Sequence, residues 1–329
     1  MSEKIHNWLM KRLPPYRVLM MLFQKITLPG FQGIRVYTTL SFFIKGFSSK
    51  DINTRASAIS FNFFLALFPA TIFFFTLIAY IPVENFKDEI FLFIANITPK
   101  NAFEVIQSTL SDILEKRQGG LLSLGFFLAL YFSTNGINSL ISAFNDYSDV
   151  IEVRSGWKQQ LAALWLTLYV ALLVVITIVL TIVGNITLDF LHGQNLLGDS
   201  FEYYALLFTK WLLTILFIYC LISGLFYYGP SKKRKWAFFS AGSTLATILS
   251  VITTYGFMFY VNNFNSYNKL YGSIGTLIVI MLLIYINSMV LLIGFELNVS
   301  IDRALEEKVS AEELTPKNLE NTFKDMRYK

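Results

Sequence analysis

The stretch LAALWLTLYVALLVVITIVLTIV, from Leu161 to Val183, decides the fold, because it runs through 23 residues without one charged side chain. At about 1.5 Å of rise per residue, a helix of this length crosses the roughly 30 Å hydrocarbon core of a bilayer. A chain inside that core has no water to bond to, and a helix satisfies its N–H and C=O groups within the segment. Five more stretches have the same character, at about Ala58 to Ile81, Leu121 to Ile141, Ala205 to Tyr228, Ala237 to Tyr260 and Gly272 to Leu297. The ten-residue alternation of a membrane β-barrel is not visible. The fold expected is therefore all-α: a polytopic integral membrane protein with a bundle of six transmembrane helices.

Composition points the same way. Of 329 residues, 54% are hydrophobic and only 15% charged, with a mean hydropathy of +0.53. Soluble domains carry about a quarter charged residues, so a solvated globular surface cannot be made from this chain. The single cysteine, Cys220, lies in an apolar run and leaves no intrachain disulfide to form.

The net charge of +5 sits in the flanks of the spans, which is a pattern of topology rather than of nucleic-acid binding. The segment before the first span, the connections after the second and fourth, and the tail hold 21 Lys and Arg against 5 in the remaining connections. The bias predicts an inner-membrane protein with both termini in the cytoplasm. Lys11, Arg12, Pro14, Pro15 and Arg17 break up the first apolar stretches, which argues against a cleaved signal peptide. The run Lys232 to Lys235 fixes a cytoplasmic loop; four adjacent cations could also hold a phosphate.

Three regions follow: an N-terminal arm over 1–50, a six-helix transmembrane domain over 51–303, and a polar cytoplasmic tail over 304–329, read as partly disordered from Glu306. In the arm, Ile5 to Leu13 and Phe31 to Phe47 suit interfacial helices on the inner leaflet or helices packed on the bundle. In the long outer connection from Pro82 to Gly120, Phe86, Ile90, Phe93 and Ile97, then Phe103, Ile106, Leu110 and Ile113, recur at helical spacing. They predict an amphipathic hairpin that caps the bundle or lies in the outer headgroups.

Polar side chains at helical spacing mark faces that avoid lipid. In the first span Arg55, Asn62, Ala66 and Pro69 share a stripe, and Pro69 should loosen the helix there. The second has Gly125, Ala129 and Ser133 for close helix approach, then Asn135, Asn138, Ser142 and Asn145. The fifth carries Ser240, Ser243, Thr247, Ser250 and Thr254, and the sixth Tyr285, Ser288 and Glu296. Such faces serve tight packing or line a cavity. Arg55 and Glu296 share a depth, which suggests an intramembrane ion pair.

The stretches RASAISFNFFLALFPA (Arg55 to Ala70), GLLSLGFFLALYFSTNGINSLISAFNDYSD (Gly120 to Asp149), GPSKKRKWAFFSAG (Gly229 to Gly242) and YNKLYGSIGTLIVIMLLIYINSMVLLIGFELN (Tyr267 to Asn298) resemble the YihY/BrkB family of bacterial inner-membrane proteins. The likeness extends from about Lys45 to Arg303 and implies six spans with cytoplasmic ends. Arg55, Pro69, Asn145, Tyr267, Tyr271, Gly272, Gly275, Glu296 and Asn298 stand at positions of the family's recurrent motifs. Asn62 and several phenylalanines depart from the Tyr and Leu expected in the first span. The resemblance brings three functional descriptions: virulence association, transport, and an older ribonuclease name.

A nuclease needs acids, bases or metal ligands converging on a phosphate. His6 in the arm and His192 in an outer loop fall on opposite sides of the expected bilayer, no carboxylate pair lies at helical spacing in a span, and no Walker loop or Gly-x-Ser-x-Gly elbow is present. The reading is therefore not an enzyme and without a cofactor. It is a transporter or flippase-like carrier whose partners are membrane lipids and an amphiphilic substrate, with no nucleic acid; the alternative is a non-catalytic scaffold or assembly factor, ahead of a lipid-modifying membrane enzyme and a ribonuclease. The candidate substrate cavity comprises Arg55, Asn62, Pro69, Asn135, Asn138, Asn145, Ser250, Tyr267, Tyr271 and Glu296. In it amides offer hydrogen bonds, Arg55 attracts an anion and Glu296 could couple a proton.

Overall fold

The computed structural model describes residues 26–28, 30–49, 51–78, 119–147, 154–193, 201–231, 237–263 and 273–313. Among them are seven helices and no strand: α1 (Val36–Ser49), α2 (Ile52–Ile78), α3 (Gly119–Tyr147), α4 (Gly156–Gly193), α5 (Phe201–Tyr228), α6 (Ala241–Asn263) and α7 (Ser273–Glu313). The six from α2 to α7 are long and apolar enough to cross a membrane. The chain is an all-α, six-span membrane protein.

Helix ends depart from the apolar limits for local reasons. α2 begins six residues before Ala58, because Asp51 caps it: the Thr54 N–H donates to Asp51 Oδ1 at 3.3 Å and the Thr54 hydroxyl donates to Oδ2. Ser240 caps α6 likewise, accepting from the Ser243 N–H at 3.2 Å. α4 continues to Gly193, ten residues past Val183, so His192 lies on a helix rather than in the expected loop. α7 runs to Glu313, and the first residues of the expected disordered tail are helical. Leaving hydrocarbon does not end a helix: ALEEK and AEE are strong helix formers that continue it into water. The segment Ile5 to Leu13 and the hairpin from Pro82 to Gly120 lie outside the described residues.

Each of α2 to α6 packs on the next, and α7 returns to α2, closing a ring in chain order; α7 also touches α3 across it. At the end that carries Arg55 the ring is filled. Phe144 of α3 stacks on Phe295 of α7 at 4.1 Å between centroids, and Phe226 of α5 meets both edge-on at 5.5 and 5.6 Å. Ile59, Ile137, Leu140, Ile141, Leu166 and Leu292 complete this core. Toward the other end, Phe74, Phe127, Val183, Phe208, Phe259 and Ile278 are exposed, a surface that acyl chains cover in a bilayer.

Small residues set the α6–α7 contact. A Cβ on Gly242 would stand 2.1 Å from the Gly294 carbonyl oxygen, so the two backbones touch. Asn298 bonds the same contact, its Oδ1 accepting from the Gly242 N–H at 2.7 Å and its Nδ2 donating to Ser240 Oγ at 2.8 Å. α1, from the second expected arm helix, packs on α7. At Gly46 it lies directly on the Glu296 carboxylate, where a Cβ would fall 1.7 Å from Oε1.

Candidate functional site

α2 and α3 run antiparallel in close register: Phe73 faces Gly125, Phe63 faces Gly136, Asn62 faces Ser139 and Arg55 faces Asp146. Aromatic rings over glycines let the outer parts of the pair approach. Where the facing residues become polar, near the Arg55 end, the helices frame a recess of about 490 Å³. Arg55, Ala58 and Asn62 line it from α2, and Asn135, Asn138, Ser139, Ser142, Ala143 and Asp146 from α3. It opens on the outward side of α3, opposite the buried stripe of Ile137, Leu140, Ile141 and Phe144.

Hydrogen bonds hold the lining in place. Arg55 Nη1 donates to Asp146 Oδ2, and its guanidinium lies 5.7 Å from the Tyr147 ring centroid. Asn62 Nδ2 donates to Ser139 Oγ at 2.9 Å and to its own helix at Ala58 O, 3.0 Å. Asn138 Nδ2 donates to Gln160 Oε1 of α4. Both charged side chains stay accessible, Arg55 at 30% and Asp146 at 57%. The recess thus presents a cation, an anion, amides and hydroxyls side by side, the equipment for holding a polar group of mixed charge.

Of the residues marked from the sequence, Arg55, Asn62, Asn135 and Asn138 meet at this recess, and others lie elsewhere. Pro69 is buried in α2, which stays helical from Ile52 to Ile78. Asn145 turns away from the recess, its Oδ1 accepting from the Ser231 N–H at 2.7 Å. There it works with Arg154, which donates to the carbonyls of Gly229 and Pro230 at 2.8 Å and of Tyr228 at 3.3 Å, closing the end of α5. Burial lowers the Arg154 pKa from its ordinary value. Ser250 sits on α6, which packs on α5 and α7; it does not line the recess. Tyr267 and Tyr271 lie outside the described residues.

The Arg55 to Glu296 pair does not form. Arg55 takes Asp146, while Glu296, fully buried, bonds Arg303 about two turns on at 3.3 Å. Arg303 also reaches the Tyr147 carbonyl at 2.9 Å, tying α7 to the end of α3. Sequence depth alone does not report azimuth: Glu296 points under α1 and Arg55 toward α3.

Ser139 and Asp146 are polar lining residues that the sequence spacing does not single out. After Ser142 the polar stripe can step three residues to Asn145 or four to Asp146; the four-residue step stays on the outward face, and the three-residue step turns inward. An Asp in the last helical turn beside an Arg-bearing facing helix was the available signal. Among the described residues, no three of His, Cys, Asp and Glu gather as metal ligands do.

Fold and site together define a polytopic helical membrane protein with a charged, amide-lined recess between its first two spans. The profile of the virulence factor BrkB family matches residues 43–318, and the chain belongs to that family. It is 30% identical over 249 residues to the ribonuclease-like protein YfkH of Bacillus subtilis, covering 74% of this chain and 88% of YfkH. To a UPF0761 membrane protein of Haemophilus influenzae it is 28% identical over 272 residues, covering 80% and 95% of the two chains. A UPF0761 membrane protein of Vibrio cholerae aligns over 95 residues at 30% identity, 29% of this chain and 32% of that one. No solved structure matches the chain.

Proposed function

We propose that this protein moves an amphiphile across or within the bacterial inner membrane, as a transporter or flippase-like carrier, with both termini and the Arg55 end in the cytoplasm. The observation that carries the reading is the recess: Arg55, Asp146, Asn62, Asn135 and Asn138 form a polar site of about 490 Å³ on the outward face of membrane-spanning helices. Polar groups there cost free energy against acyl chains unless something polar meets them. A lipid headgroup drawn sideways into the recess would meet them, and the basic flanks support the inner leaflet as the setting.

The word ribonuclease belongs to YfkH. In this chain the recess sets the Arg55–Asp146 pair among amides and hydroxyls, an arrangement suited to holding a polar group. A scaffold or assembly role is the second reading, favoured by the closed centre at Phe144, Phe226 and Phe295. A stoichiometric partner recovered with the chain would favour it.

The test is reconstitution of the full chain into vesicles of phosphatidylethanolamine and phosphatidylglycerol containing acyl-labelled fluorescent phosphatidylethanolamine, followed by dithionite quenching. Accelerated exchange between leaflets that Arg55→Gln slows at least severalfold is expected. Exchange no faster than in empty vesicles, or unaffected by Arg55→Gln, would overturn the reading.

A further inference from the structure

A second recess adjoins the first. About 260 Å³ in volume, it lies between α3 and α4, lined by Leu130, Tyr131, Thr134, Trp157, Leu161 and Leu164 among others. α3 is the shared wall. Tyr131, Thr134 and Asn138 follow each other at steps of three and four on its α4 side, while Asn135, Ser142 and Asp146 form its outward side. Asn138 stands at the boundary, lining the polar recess and bonding Gln160 of the apolar one.

Two polar atoms at this boundary are buried and have no hydrogen-bond partner among the described residues: Asn138 Oδ1 and Thr134 Oγ1. Thr134 is 5% exposed and lines the apolar recess. Buried polar atoms are rarely left so. A ligand with a hydrogen-bonding group between a polar and an apolar part would satisfy them.

The dimensions suit a lipid. From Tyr131 to Asp146 the wall rises about 22 Å along α3, the depth of one leaflet in a bilayer about 40–45 Å thick with its headgroups. The charged part is at the helix end and the apolar part toward the middle, the order of headgroup and acyl chain. Charge narrows the class. A purely anionic headgroup would meet Arg55 but be repelled by Asp146, and a cationic one the reverse; a headgroup carrying both charges suits the pair.

We propose that the two recesses form one bipartite site for a zwitterionic phospholipid of the phosphatidylethanolamine type, with phosphate on Arg55, ammonium on Asp146, the ester region at Asn138 and Thr134, and one acyl chain along Tyr131, Leu161 and Leu164. This rests on the carrier reading for its substrate, yet binding is measurable apart from transport.

The experiment is native mass spectrometry of the full chain, purified in detergent and equilibrated with equal amounts of phosphatidylethanolamine and phosphatidylglycerol. Wild type should retain phosphatidylethanolamine in preference by about tenfold, the factor equivalent to one charge-assisted contact. Asp146→Asn should abolish the preference, Asp146→Glu restore it, and Leu161→Trp reduce retention of both lipids. Equal retention by wild type would overturn the proposal, as would a preference untouched by Asp146→Asn and Leu161→Trp. So would recovery of a partner helix on this face in place of lipid. Selective binding without leaflet exchange in vesicles would leave this site standing and remove the carrier; exchange that persists in Asp146→Asn and Leu161→Trp, with no lipid retained, would do the opposite.

Discussion

Gly242→Ala tests whether backbone contact between α6 and α7 holds this half of the bundle together. The added Cβ would lie 2.1 Å from Gly294 O and 2.6 Å from Asn298 Oδ1, whereas ordinary contact begins near 3.4 Å. The helices must therefore part by about 1.3 Å at this level. That movement stretches the 2.7 Å bond from the Gly242 N–H to Asn298 Oδ1 to about 4 Å, beyond hydrogen-bond range. Losing that buried bond costs about 1–1.5 kcal/mol, and a gap of this size forfeits a similar amount of dispersion along the seam. Against this, alanine gains up to about 1 kcal/mol of helix propensity over glycine. The net expectation is a loss of about 1–2 kcal/mol. Gly256→Ala, on the same helix, is the control: its Cβ would meet nothing within 4 Å, so it should be neutral or slightly stabilising. Thermal unfolding in detergent, read by the monodisperse fraction after heating, should rank Gly256→Ala at or above wild type and Gly242→Ala several degrees below. Equal midpoints for the two variants would refute the argument that this seam is closed by glycine.

Two further outcomes are open to direct measurement. Arg154→Ala removes three bonds to the carbonyls of residues 228–230 and should cost about 1.5–3 kcal/mol, the range for a partly buried charged donor; proteolysis after the basic Lys232 to Lys235 run should accelerate, and an unchanged digestion rate would count against a clamp. Asp51 has its carboxyl held below the ordinary carboxylate value of 3.8, first by the side-chain bond from Thr54 and then by the Thr54 N–H. A depressed folded value means the cap stabilises α2 above the unfolded pKa and loses that effect as pH falls through the folded one. The difference in unfolding midpoint between wild type and Asp51→Ala should therefore be constant near neutrality and shrink below about pH 4.

Several residues that line the recess are legible in the sequence, and the departures have one source. Arg55, Asn62, Asn135 and Asn138 were identifiable because an amide or guanidinium in a long apolar run must face something other than lipid. Asn145 and Asp146 both continue the stripe at an allowed helical step, and only the neighbouring helix selects Asp146 for the recess. Asn145 then found its partner in the backbone at Ser231, 86 residues away in the chain. Glu296 shares its depth with Arg55, yet Arg303 on its own helix takes it.

The sequence by itself determined that the chain has six membrane-crossing helices and which stretches form them. That information is local, since each segment either can or cannot satisfy its backbone inside hydrocarbon. It also marked which side chains are costly to leave against acyl chains. Only the tertiary structure decided which of them meet: Arg55 with Asp146, Glu296 beneath Gly46, and the polar recess on the outward face of α3 instead of in the bundle centre. Helix azimuth and pairing follow from close contacts such as Gly242 on Gly294 and the Phe144 and Phe295 stack, where sub-ångström fit between distant segments sets the answer.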